Sequence, residues 1–150
     1  MPEALHRDFK EFCQLLIEAD VRFLVIGGYA VAWHGRARHT EDFDIWIDSS
    51  EDNAKKVVQC LRDFGFDTPQ LDESLFTRNH GIVRMGNPPW KIELFVQIPG
   101  VEFPECYEGR ESWPVGDLSI PIISLSHLRK NKAASGRAKD LADLKDYLPE

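Results

Sequence analysis

Residues 22–48 run RFLVI, GG, YAVAWHGRARHTE and DFDIWID, and this stretch constrains the fold more than any other. RFLVI, Arg22 to Ile26, reads as a short buried strand. Gly27 and Gly28 end it where Tyr29 to Gly35 begins, a segment of good helix formers closed by a glycine. FDIWI, Phe43 to Ile47, reads as the next strand. A strand, a glycine turn, a short helix and a second strand carrying Asp42 and Asp44 therefore follow one another within one short stretch.

Each half of this arrangement has a chemical reading. Glycine permits a tight turn and a close approach of phosphate to the backbone. A helix start offers unpaired N–H groups and a positive dipole end, which suits an anion. Gly27-Gly28 alone fits a plain strand-to-helix turn equally well. Asp42 and Asp44 stand at i and i+2 of a strand, so they share a face with Cα atoms roughly 6.5–7 Å apart. Two adjacent carboxylates repel unless a cation lies between them, and hard oxygen ligands suit Mg²⁺. A solvated strand end with acids on its outer face is the other reading of that pair, and Asp48, on the same period, fits surface charge.

Two more features lie downstream. Glu93 sits in the otherwise apolar run KIELFVQI, Lys91 to Ile98, where a buried acid would need a partner. A metal site supplies one; a wet face on an edge strand would remove the need. Between His127 and Asp140 come Arg129, Lys130, Lys132, Arg137 and Lys139, a local reversal of sign. Bases beside a carboxylate cluster would neutralise a triphosphate, whereas a charge run is also what a solvated helix face looks like.

The rest of the chain supplies a scaffold. Leu5, Phe9, Phe12, Leu15 and Leu16 form a helical stripe. Ser49 or Ser50 can cap a helix starting near Glu51, with Val57, Val58 and Leu61 buried. Gly81 to Met85 and Lys91 to Ile98 are apolar runs separated by a turn or loop at Asn87-Pro88-Pro89; Asp67 to Arg78 is ambiguous. Residues 99–120 are expected to be loop with a short strand near Leu118 to Ile120. Ser124 caps a helix that Gly136 breaks, and RAKDLADLKDYL makes a last one. This order predicts an α/β or α+β domain with a small mixed sheet flanked by helices, covered mainly on one face.

At 150 residues, 43% hydrophobic and 29% charged, the chain fits one soluble globular domain spanning 1–150. Its 25 acids against 18 bases give a formal charge of −7 and argue against a general nucleic-acid coat protein. Three cysteines without a CxxC pattern indicate neither a disulfide framework nor a zinc site, and a reducing cytoplasm is the simplest compartment. MPEALHRDFKEF has no hydrophobic signal segment, and no apolar run approaches membrane-spanning length.

Gly27-Gly28, thirteen intervening residues and Asp42-x-Asp44 resemble the signature of the minimal nucleotidyltransferase superfamily, the catalytic core shared with DNA polymerase β. GGYAVAWHG, Arg38-x-Thr40, DFDIWID, Asn53, Gly86-x-Pro88-Pro89, Lys91-Ile92-Glu93-Leu94 and the ending Asn131-Lys132-x-Ala134-x-Gly136-Arg137-x-Lys139-Asp140-Leu141-x-Asp143 are similar to small bacterial members of it. Many of those sit in toxin–antitoxin or abortive-infection contexts.

The resemblance implies a nucleotidyltransferase-like fold and metal-dependent transfer of an NMP from a nucleoside triphosphate to a hydroxyl acceptor: RNA, protein or small molecule. It implies that Asp42, Asp44 and Glu93 are catalytic and bind Mg²⁺ (or Mn²⁺), and that Gly27, Gly28, Arg38, Thr40, Lys132, Arg137 and Lys139 contact the nucleotide. Arg38 and Thr40 either position phosphates or brace the loop. His34 is expected to make a structural hydrogen bond, and Trp90 and Trp113 either stack on a base or belong to the core or rim. The third carboxylate of the family is usually Asp, so Glu93 departs from it by one methylene. The alternative is a catalytically degenerate interaction protein of antitoxin type, with a cognate toxin or antitoxin as partner and no membrane role.

Overall fold

The computed structural model describes residues 5–77, 81–87 and 89–150. The first four residues of the N-terminal stretch, Arg78 and Pro88 of the expected turn lie outside the described residues. In chain order the elements are α1 (Arg7–Glu18), β1 (Phe23–Ile26), α2 (Gly27–His34), β2 (Asp42–Ile47), α3 (Glu51–Asp63), a 3₁₀ turn (Glu73–Phe76), β3 (Ile82–Asn87), β4 (Trp90–Phe95), α4 (Phe103–Glu108), β5 (Glu111–Val115), β6 (Leu118–Ile122), α5 (Leu125–Ser135), α6 (Ala138–Ala142) and a π-helical turn (Asp143–Tyr147).

The six strands form one mixed sheet in the order β3-β4-β2-β1-β6-β5. β1 runs antiparallel to β2 and parallel to β6, β2 is parallel to β4, and the β3–β4 and β5–β6 pairs are antiparallel. Alternation along β2 sorts its two faces. Phe43, Ile45 and Ile47 are buried, and Phe43 stacks on Phe9 of α1 with ring centroids 4.8 Å apart. Asp42, Asp44 and Trp46 occupy the other face, where Phe103 of α4 meets Trp46 edge-on at 5.2 Å.

Capping chemistry sets the helix bounds. The Ser50 hydroxyl accepts from the Asn53 amide at the start of α3, and Ser124 accepts from the His127 amide at the start of α5. Gly136 ends α5 in the left-handed region, which a residue with a Cβ adopts at a cost. The final expected helix is divided into α6 and the π-helical turn.

Two elements correct the expected loop over 99–120. α4 starts at Phe103 with Pro104 in its first turn, where proline has no helical hydrogen bond to lose. β5 contains Pro114 and lies at the sheet edge, which tolerates a missing donor. Gly116 and Asp117 form the two-residue connection between β5 and β6, bracketed by the pair Val115–Leu118. No helix among the described residues is long and apolar enough to cross a membrane.

One polar side chain ties three elements together. Buried Asn53 accepts from the Arg22 amide at 2.7 Å and donates to the carbonyls of Arg22 at 3.1 Å and Asp48 at 2.8 Å. It joins the start of β1, the end of β2 and the first turn of α3. Asn53→Ala removes the bonds to the Arg22 amide and the Asp48 carbonyl, while the Arg22 carbonyl keeps the Asp48 amide at 3.2 Å, and should cost about 2–3 kcal/mol in urea denaturation. An unchanged unfolding midpoint would show that the amide is replaceable by water.

Candidate functional site

Strand register builds the site. Ile26 pairs with Asp44, Asp44 with Glu93 and Glu93 with Arg84, so one row crosses β1, β2, β4 and β3. The neighbouring row places Lys91 between Asp42 and Gly86. Paired residues share a face of the sheet. The parallel β2–β4 pairing thus brings together the two aspartates and the glutamate from separate parts of the chain.

Gly27 fits against this row in a way that no other residue matches. Its φ is +68°, and a Cβ there would lie 2.3 Å from Oδ2 of Asp44. A Cβ on Gly28 would lie 2.7 Å from Oγ1 of Thr40, whose hydroxyl donates to the carbonyl of Asp42 at 3.2 Å. The glycine turn and the aspartate strand are therefore in direct contact, with the first turn of α2 against Asp44.

The acids are distributed unevenly. Asp44 and Glu93 face each other in the β2–β4 register, so their carboxyls repel when both are ionised. Burial pushes the Asp44 carboxyl up to about 7, with Glu93 and Asp42 adding like-charge repulsion and the Lys139 ammonium opposing it. Oδ1 of Asp44 is buried without a hydrogen-bond partner. Glu93, its side chain 12% exposed, also receives Nε of Arg84 at 2.6 Å. Asp42 is more open, with the Lys91 ammonium 3.6 Å away.

Among the described residues, no three acid, imidazole or thiol side chains form a ready-made metal cage. The donor set nevertheless fits a hard divalent cation. Its oxygens are carboxylate, one is buried and unpartnered, and the mutual repulsion that lifts Asp44 is what a cation would relieve.

A cavity of about 350 Å³ opens beside the row. Gly27 and Asp44 line one end, Asn131, Lys132 and Arg137 the other, and Ile82 and Phe95 an apolar wall. Gly28, Arg38, Thr40, Asp42, Glu93 and Lys139 lie outside its lining. Lys132 is not a free phosphate-binding cation: its ammonium, 6% exposed, is held by Asp140 at 2.8 Å and Asp143 at 3.1 Å. Arg38 spans Asp143 with Nε at 3.0 Å and Nη2 at 3.1 Å, the bracing role of the two expected for it. Arg137 is 76% exposed and places Nε 2.9 Å from Asp140. Burial works against the Asp140 carboxylate, but hydrogen bonds from Lys132, Ser135 and Arg137 hold it down at about 2. Lys139 is exposed on α6, and its charge is felt at Asp44.

His34 makes the expected structural bond, its Nε2 2.7 Å from the carbonyl of Ile123. Trp113 is buried, so of the two readings open for it the core one holds. Trp90 is 43% exposed and stacks on His6 with centroids 4.2 Å apart. Sequence reasoning missed Arg84, and it matched Asp143 to the C-terminal pattern without assigning it a role. Arg84 stands in an apolar run, but only the β3–β4 register reveals its partner. Asp143 lies just past the basic stretch that ends at Asp140.

A crystal structure from Thermotoga maritima, described as that of a "putative nucleotidyltransferase", superposes with a TM-score of 0.64 over 95% of this chain and 94% of that one, at 17% sequence identity. Likeness at that identity is likeness of fold: the mixed six-stranded sheet flanked by helices is nucleotidyltransferase-like. No protein-family model matches the sequence, and no curated protein matches it.

The raised Asp44 carboxyl has a thermodynamic sign. The unfolded chain releases this proton near pH ~4 and the folded chain near 7, so metal-free stability falls as pH rises between the two. Asp44→Asn should match the wild type below about pH 4 and exceed it by up to about 4 kcal/mol at pH 8. Urea melts at both pH values check this, and a wild type more stable than the variant at pH 8 contradicts it.

Proposed function

We propose that this chain is a metal-dependent nucleotidyltransferase that moves an NMP from a nucleoside triphosphate to a hydroxyl acceptor. The observation that carries the reading is the buried Asp44–Glu93 pair, with an unpartnered Asp44 oxygen, set against Gly27 at the start of α2. Asp42, Asp44 and Glu93 would hold Mg²⁺ or Mn²⁺, which when bound supplies charge neutralisation of the triphosphate and acidification of the acceptor hydroxyl.

The remaining roles belong to the chain itself. Arg84 fixes the orientation of Glu93, leaving that carboxylate directed along the row toward Asp44. Gly27 admits phosphate to the backbone where any side chain would collide with Asp44. Arg137, which lines the cavity, and Lys139, whose charge reaches Asp44, would offset negative charge on the departing pyrophosphate. Ile82 and Phe95 offer the nucleoside an apolar wall, while Lys132 acts from below by holding Asp140 and Asp143 in place.

The test is label transfer. Protein, Mg²⁺ and each α-labelled nucleoside triphosphate are incubated with total RNA or cell lysate. Label should appear on RNA, a protein band or a small molecule, and Asp44→Asn should lower it at least about 100-fold with an unchanged circular dichroism spectrum. No transfer from any nucleotide by folded wild type would favour the interaction-protein alternative.

A further inference from the structure

Irregular residues 35–41 connect α2 to Asp42, and the C-terminal segment grips them at several points. The Arg36 amide donates to the Tyr147 carbonyl at 2.9 Å, and a Cβ on Gly35 would lie 1.9 Å from that same oxygen. The strongest grip is ionic. The Arg38 guanidinium meets both oxygens of Asp143, and Asp143 is also bonded by Lys132. All three side chains are nearly or largely buried, at 14%, 3% and 6% exposed. The Nη2 hydrogen bond at 3.1 Å, with Nε 3.0 Å from the other oxygen, makes a charge pair largely removed from water. Asp143 also opens the π-helical turn, a local irregularity that marks functional positions more often than ordinary helix does.

On its far side the same connection is closed by Thr40, which packs against Gly28 and bonds the Asp42 carbonyl. The segment therefore has two fixed points, the glycine turn and Asp143, and Asp42 follows directly from it. We infer that Asp143 is a positioning residue: through Arg38 it sets the path of residues 35–41 and thereby aims Asp42 and Asp44 into the reactive row. Asp143 touches neither of those acids. This inference rests on the reading of that row as the reactive centre.

Hydrogen–deuterium exchange with and without Mn²⁺ separates the two claims. In Arg38→Gln, which leaves the Lys132–Asp143 pair intact, the amides of 36–42 should exchange at least tenfold faster. α1 and α3 should stay at wild-type rates, and Mn²⁺, titrated by tryptophan fluorescence, should bind at least tenfold more weakly. Arg38→Lys should recover part of both effects, and Asp143→Asn should reproduce both. Val57→Ala, a buried change in α3, controls for lost stability and should move neither readout. Wild-type exchange over 36–42 in Arg38→Gln, or a loosened loop with undiminished Mn²⁺ affinity, overturns the inference. A loosened loop in a protein whose wild type takes no Mn²⁺ upholds Asp143 as the anchor of the loop and removes the proposed function instead.

Discussion

The structure is organised around one unfavourable contact. Asp44 and Glu93 stand side by side on adjacent strands, largely shielded from water, with Asp42 nearby. Left to itself, such a pair keeps a proton that a solvated aspartate would have released. Much of what surrounds it reduces that cost: Arg84 on one flank, Lys139 at longer range, and a glycine where any other residue would push the carboxylate aside. The fold retains an acidic pair whose burial works against its ionised form, which is the physical basis for proposing chemistry there.

A second set of charges lies under the C-terminal wall of the cavity, and its logic is the opposite. Lys132, Arg38 and Arg137 meet Asp140 and Asp143 with short contacts, so almost every charge there has a partner. The first cluster holds like charges together, with one buried oxygen lacking a partner. The second is satisfied and rigid, and its value lies in geometry more than in stability, since buried ion pairs recover little beyond their desolvation cost.

The sequence was legible where local rules act alone. The glycine turn, the alternating aspartates on β2, and the Ser124 and Gly136 caps follow from spacing and backbone preference, and all are where the pattern puts them. Reading failed over residues 99–120, expected to be mostly loop, where the structure has α4 and β5. Pro104 opens a helix and Pro114 lies on an edge strand, both places that tolerate proline. It also failed where pairing decides a side chain's role. Lys132 looked like one member of a basic run, but α6 and the π-helical turn bring two carboxylates to its ammonium. Glu93 was identifiable as an acid in an apolar strand; that Asp44 is its neighbour is known only from the parallel register.

That register has a consequence for the order of events during folding. Parallel neighbours cannot be joined by a tight turn, and the chain leaves β2, forms α3 and travels through β3 before β4 returns beside Asp44. Contacts so distant along the chain are among the slowest to form. No hairpin and no early fragment contains the complete acidic row. A nascent or partly unfolded molecule can carry all three acidic side chains yet has no assembled row, so any chemistry proposed for that row waits until the sheet is complete.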